Sequence, residues 1–468
     1  MSLVLGIDSS TQSTKALLVE AETGKVVAQK RHPHPDGTSC NPAAWLEALH
    51  NTCDELLPRA EAVAVAGQQH GMVVLDENDR VIRDALLWND TRSAAAAKDL
   101  IAELGGKTAA AQRTGSVHVA SITSTKLRWL RDAEPDNARR VRRVVLPHDY
   151  LSHELNADKT VWFTDWGDAS GTGYFSPRKD AWDTDLLIQA LGHEAAVPDL
   201  PVSPNQNMGK TETGAVIAPG TGDNMAAALG LAMGAGDVSL SVGTSGVAAM
   251  VSSRPTFDAT GSVTGFADAT GNWLPLACTI NAAKILDLGA RLLGVNHEEF
   301  SQLALAAPPG ANGVTLLPYL DGERTPNRPG ASGMFRGLRS TSTREDLARA
   351  FVEGLACSLV DAAGFLREAT GETVTRYLLI GGGAKSKALQ QILPGVLECP
   401  VILPPPGEYV ALGAAAQAAW VLSGSEQPPR WELTGTGVLE SKPCPQVLDK
   451  YRQLESDTAT WSEIENLI

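Results

Sequence analysis

The chain has 468 residues, too many for one typical core, so two domains are expected. Hydrophobic residues make up 43% and charged residues 20%, a globular composition rather than a disordered one. The formal net charge of −15 has the wrong sign for tracking a phosphate backbone, which argues against nucleic acid as a partner. It leaves small anions open, since backbone N–H groups at turns can hold them.

The chain opens with Leu3-Val4-Leu5-Gly6-Ile7, a hydroxyl-rich turn, and Ala16-Leu17-Leu18-Val19, which predicts a hairpin. Its turn, Asp8-Ser9-Ser10-Thr11-Gln12-Ser13-Thr14-Lys15, offers enough donors to wrap phosphate oxygens, and Asp8 could hold Mg²⁺ through water. A solvated hairpin turn reads equally well from this segment alone. Gly67-Gln68-Gln69-His70-Gly71 sits between two apolar strands, where Gln69 and His70 offer an amide and an imidazole suited to polyol hydroxyls. Trp88-Asn89-Asp90-Thr91-Arg92 precedes an Ala-rich helix and reads first as an N-cap cluster. Two Gly-Lys-Thr triplets, at 106–108 and 209–211, are decoys, because Ile101 and Pro204 occupy the place of the first P-loop glycine.

Thr221-Gly222-Asp223-Asn224 precedes a helix expected over 225–233, with Asp223 or Asn224 as its N-cap. Asp223 is also the best-placed carboxylate to orient and deprotonate an attacking hydroxyl. Gly234-Ala235-Gly236 marks the expected domain boundary, giving domains 1–235 and 236–468. Residues 238–242, the turn Gly243-Thr244-Ser245-Gly246, and 247–251 repeat the opening hairpin and suggest two related halves.

Thr343 and Asp346 form a capping-box pattern ahead of Leu347, Phe351, Leu355, Leu359 and Leu366 at helical spacing. A strand over 376–380 leads through Gly381-Gly382-Gly383 into a helix near Ser386. Val401-Ile402-Leu403 is a short strand, and 410–422 is helical by its Ala content. The alternation of strands and helices makes the class α/β. Six cysteines without a C-x-x-C pair, and no basic leader or membrane-length apolar run, lead us to expect a soluble cytoplasmic protein that avoids membranes. A homodimer is compatible with a sequence that carries no signal for oligomeric state.

The order of these segments resembles the FGGY family of carbohydrate kinases over roughly the first 420 residues. The resemblance rests on Gly67-Gln68-Gln69-His70-Gly71-Met72, Leu87-Trp88-Asn89-Asp90-Thr91-Arg92, Pro318-Tyr319-Leu320-Asp321-Gly322-Glu323-Arg324-Thr325-Pro326 and Gly381-Gly382-Gly383-Ala384. It implies two actin-like, ribonuclease H-like domains around a central cleft, the first holding a small sugar and the second mainly ATP. By similarity, Asp8, Thr11, Gln12 and Ser13 would meet the phosphates, with Asp8 also at Mg²⁺. Gln69, His70 and Asn224 would meet the sugar, and Asp223 would meet the attacking hydroxyl as catalytic base. Gly243 and Thr244 would approach the terminal phosphates, and Gly382, Gly383, Ala384 and Ser386 the adenosine.

The implied reaction is transfer of the ATP γ-phosphoryl group to the 5-hydroxyl of D-xylulose, with another ketose, polyol or aldonate as the alternative. An actin-like ATPase switch is a different class on the same fold. A sugar-sensing repressor ranks last, because the phosphate hairpin already opens at Leu3. Two departures from the family pattern stand out: a short stretch over 201–219, and Gly-Thr-Gly-Asp-Asn where Gly-Gly-Gly-Asp-Asn is commoner.

Overall fold

The apolar residues from Leu3 onward form the expected hairpin in the computed structural model, which describes residues 2–461. β1 (Leu3–Ser9) and β2 (Ser13–Glu20) pair antiparallel, with Asp8 opposite Lys15. β3 (Val26–Pro33) adds to β2, while β4 (Ala62–Gly67) lies parallel to β1 on its other side. β4 is buried along its whole length, which explains why its sequence runs apolar instead of alternating. Short strands β5 (Gly209–Lys210) and β6 (Val216–Ile217) extend the sheet, and β7 (Thr221–Gly222) runs parallel to the end of β4.

The register decides where chemistry can occur. Ser9 aligns with Gly67, and Gly67 aligns with Gly222, so three parallel strands end at one level. The segments following them therefore leave the sheet together at its carboxyl edge, the side on which open α/β sheets bind ligands.

The chain divides into two compact units, but not by one cut. The first comprises 1–233, 253–274 and 407–432, and the second comprises 234–252, 275–406 and 433 onward. The division after Met233 falls two residues before the expected 235/236 boundary; the two returning segments were not expected. The later one carries the helix Tyr409–Ser423, whose apolar residues encircle it and therefore need cover on every side. It packs on β1 and on α3 (Asp223–Gly230) at backbone contact. A Cβ on Gly6 would lie 2.0 Å from the Ala411 carbonyl oxygen, and one on Gly413 would lie 1.8 Å from that of Ala226. Such interlocking outweighs proximity along the chain.

The second unit repeats the plan of the first. β8 (Asp237–Val242) and β9 (Gly246–Met250) form the second hairpin, β10 (Leu276–Thr279) adds antiparallel to β9, and β11 (Arg376–Ile380) lies parallel to β8. The order β10-β9-β8-β11 thus matches β3-β2-β1-β4, followed by β12 (Val401–Leu403) and β13 (Gly437–Leu439). The hairpin resemblance is a shared topology. The helix Arg344–Thr370 starts at the predicted capping box: Thr343 accepts from the Asp346 N–H at 3.3 Å, and Asp346 accepts from the Thr343 N–H at 3.0 Å. No helix among the described residues is long and apolar enough to cross a membrane.

Candidate active site

Asp223 is the first residue of α3, and its N-cap is Gly222. This corrects the expectation that Asp223 or Asn224 caps the helix. A capping side chain must reach the N–H groups two or three positions on. The extended conformation at Gly222 instead puts Asp223 inside the first turn, where its Oδ1 accepts from the Asn224 N–H at 2.8 Å. The Asn224 amide donates to the same oxygen at 2.9 Å and to Gln69 Oε1 at 3.0 Å. Burial, then the charges of Asp8 and Asp168, push the Asp223 carboxyl up to about 7. A carboxylate so placed accepts a proton near neutrality.

The threonine that departs from the family's glycine has a defined role. Thr221 donates to the buried Asp165 carboxylate at 2.6 Å, and Asp165 also accepts from the N–H groups of Gly167 and Asp168, both at 2.9 Å. Those residues open the short helix Trp166–Ser170. Beneath them lies buried His148, 2.7 Å from Asp168. Burial alone would lower its pKa, but Asp149, Asp168 and Asp165 raise it to about 10. This charged layer under the Gly222-Asp223 turn leaves no signal in the sequence, because its members lie in separate segments.

His70 stands beside the turn on the loop after β4. Its φ is +66°, and its Nδ1–H donates to the Gly171 carbonyl at 2.7 Å. The Phe266 ring, brought back by segment 253–274, lies 5.4 Å from the imidazole centroid to centroid. Gln69 is buried, and its amide nitrogen has no hydrogen-bond partner among the described residues. A buried orphan donor beside an acidic turn leaves a hydrogen bond for a ligand or a water to fill. Asp90, read first as part of a cap cluster, instead accepts from Thr38 at 2.8 Å and from Arg92, and the following helix has Ser93 as its N-cap.

Asp8 is buried on β1. Its Oδ1 accepts from the Ser10 N–H at 3.0 Å and from the Ser10 hydroxyl, and Oδ2 lies 3.5 Å from the Lys15 ammonium. Burial raises its pKa, and its charge in turn raises that of Asp223. A buried carboxylate whose charge disfavours ionisation of a neighbouring one suits a divalent cation shared with phosphate oxygens, since Mg²⁺ keeps waters and takes few protein carboxylates. The donor set fits the ion. In the adjoining turn, Thr11 accepts from the Trp88 indole N–H at 2.8 Å, Ser13 accepts from Arg31 at 3.2 Å, and Gln12 is exposed.

The remaining predicted residues belong to the second unit. Gly243 and Thr244 are exposed at the β8–β9 turn, their carbonyls anchored by the N–H groups of Ala283 and Ala282 at 2.8 and 3.2 Å. The glycine run follows β11. A Cβ on Gly383 would strike the Val242 side chain at 2.4 Å, whereas one on Gly382 meets nothing within 4 Å. Gly383 therefore serves packing, and Gly382 opens onto space. That space is a cavity of about 610 Å³ lined by Leu286, Phe300, Leu305, Gly382, Gly383 and Ser386, ample for a nucleoside. Ala384 is buried behind the run, and Ser386 caps the next helix by accepting from the Leu389 N–H at 3.3 Å.

Comparison with known proteins decides the family. The model of the FGGY family of carbohydrate kinases matches over residues 3–241 for its N-terminal domain and 238–422 for its C-terminal domain. The chain belongs to the FGGY family of carbohydrate kinases. It is 46% identical over 457 residues to a xylulose kinase of Streptomyces coelicolor, covering 94% of this chain and 92% of that relative. It is 33% identical over 423 residues to the xylulose kinase of Escherichia coli, covering 84% of each. The crystal structure of xylulose kinase from Bifidobacterium adolescentis matches with a TM-score of 0.93 at 44% identity, over 97% of this chain and 99% of that one. The α/β fold of the chain is thus the two-domain, actin-like and ribonuclease H-like fold of the FGGY carbohydrate kinases.

Proposed function

We propose that the protein transfers the γ-phosphoryl group of ATP to the 5-hydroxyl of D-xylulose, giving ADP and D-xylulose 5-phosphate. The observation that carries this reading is the Asp223–Asn224–Gln69 chain beside His70. It joins a carboxylate of raised proton affinity to amides and an imidazole that suit a polyol. The choice of ketose is supported by the near full-length identity to relatives named xylulose kinase.

Gln69, His70 and Asn224 would hold the sugar hydroxyls, and Asp223 would orient the attacking hydroxyl and take its proton as the bond to phosphorus forms. Thr11, Gln12 and Ser13, with Gly243 and Thr244, would donate to phosphate oxygens. Gly382, Gly383, Ala384 and Ser386 would border the adenosine. Asp8 would hold Mg²⁺, which in phosphoryl transfer neutralises charge on the phosphate oxygens. A cytoplasmic location belongs to this reading, supported by six free cysteines and the use of ATP.

A panel assay tests it. D-xylulose should exceed D-ribulose, L-ribulose, glycerol and gluconate in kcat/KM, measured as sugar-dependent ADP release. Equal or better turnover of any of those four would overturn the assignment of the sugar.

A further inference from the structure

Lys126 lies near the start of the helix Thr123–Ala133 and is fully buried, on the same stripe as Thr123, Leu127 and Leu130. A lysine at such a position loses its hydration and needs acceptors in return. Its Nζ donates to the His70 carbonyl at 2.8 Å and to the Ser121 carbonyl. Burial pushes its pKa down to about 7, with Asp90 opposing the shift. The neutral amine still has two N–H groups for two carbonyls, so both contacts survive either protonation state.

The partner residue gives this lysine a role. His70 adopts φ +66°, a left-handed conformation disfavoured for residues with a side chain. Its carbonyl receives a second donor, Thr123 Oγ1, at 3.2 Å. The ring is held from the opposite side by the Gly171 carbonyl, and a Cβ on Gly171 would come within 2.7 Å of that ring. The same helix is tied to this segment, since the Ser124 N–H donates to the Thr172 carbonyl at 2.8 Å. Main chain and imidazole are therefore gripped between one helix and the residues bonded to it.

We propose that Lys126 is a positioning residue of the sugar subsite: by holding the His70 carbonyl it fixes the imidazole at the angle from which it meets a sugar hydroxyl. This rests on the reading of His70 as a sugar contact. It makes Lys126 act through His70, and it separates sugar recognition from nucleotide recognition.

The test compares wild type, Lys126→Met, His70→Ala and the double variant, using whichever sugar of the panel the wild type turns over best. An error in the identity of the sugar then leaves this test intact. Misplacing a binding group should raise the KM for sugar in Lys126→Met by about tenfold or more. The KM for ATP and sugar-independent ATP hydrolysis should stay within about twofold. In the His70→Ala background, adding Lys126→Met should change the KM for sugar by no more than about twofold, because the group it positions is gone.

A sugar KM unchanged in folded Lys126→Met, an equal rise in the KM for ATP, or a full additional effect on His70→Ala would overturn the proposal. Should Lys126→Met fail to fold, Thr123→Val removes the other donor to the same carbonyl at nearly constant volume. It should raise the KM for sugar by about threefold or more with the KM for ATP unmoved, and an unchanged KM for sugar would overturn the proposal equally.

Discussion

Asp223→Ala is expected to lower kcat for D-xylulose by about 10²- to 10⁴-fold, the usual loss for a positioned general base. The backbone at the helix start sharpens this expectation. Because Gly222 is the N-cap and Asp223 the first helical residue, the substitution removes no cap; it removes the acceptor of the Asn224 N–H and amide, and it relieves a carboxylate whose ionisation burial, Asp8 and Asp168 oppose. A kcat loss of that size in a folded variant therefore reports chemistry. Asp223→Asn separates the roles further, since an amide oxygen can still accept from the Asn224 N–H but cannot take a proton. Near-normal kcat in Asp223→Asn would move the base to another residue.

The pH profile gives an independent reading of the same carboxyl. Its pKa is raised, so the base form is lost as pH falls through about 7. For wild type, kcat/KM for sugar should fall on the acid side, approaching tenfold per pH unit once below that pKa. Of the three causes that raise it, desolvation leads and Asp8 follows, while the two hydrogen bonds from Asn224 oppose the shift. Mg²⁺ at Asp8 would cancel the Asp8 contribution, so raising Mg²⁺ should move the acid limb to lower pH. An acid limb that persists unchanged in Asp223→Asn would assign it to another group.

Local rules made the two hairpins, the capping box at Thr343 and the glycine run after β11 legible in the sequence, because each is written within a few adjacent residues. What stayed hidden depends on partners far along the chain. The helix Tyr409–Ser423 has no polar face, so its periodicity says that it is buried but not beneath which sheet. Whether an Asp is an N-cap or the first helical residue turns on one backbone angle at Gly222, to which composition is blind. Lys126 did leave a signal, a lysine between Thr123 and Leu130 on the apolar stripe of a helix, but one that long surface lysines often imitate. Phe266 left none, since nothing near it in sequence reports the return of 253–274 to the first unit.

Two glycine-to-alanine substitutions, both inside helices, should act with opposite sign. By helix propensity alone each would stabilise by about 0.8–1.0 kcal/mol. At Gly364, within the helix Arg344–Thr370, the nearest atom to an added Cβ is an Arg452 guanidinium nitrogen at 3.8 Å, an ordinary contact. Gly364→Ala should therefore gain most of that propensity. At Gly413 the added Cβ would sit 1.8 Å from the Ala226 carbonyl oxygen and 2.8 Å from the Gly230 nitrogen, both backbone atoms of helix α3.

No rotamer change relieves such a contact, so the helix Tyr409–Ser423 and α3 must separate. Overpacking of well-packed cores costs about 1–3 kcal/mol, occasionally more, and a backbone collision belongs at the upper end. The collision thus outweighs the propensity gain. Separation would also disturb the turn itself, because Gln417 grips Gly220 by donating to its carbonyl and accepting from its N–H, both at 3.0 Å. Denaturant unfolding followed beside kcat checks both halves of the argument. Gly413→Ala should unfold earlier and, while still folded, lose kcat, whereas Gly364→Ala should unfold later with kcat unchanged. If Gly413→Ala proved as stable as wild type, the close packing of the returning helix on α3 would not be the feature that holds it to the first unit.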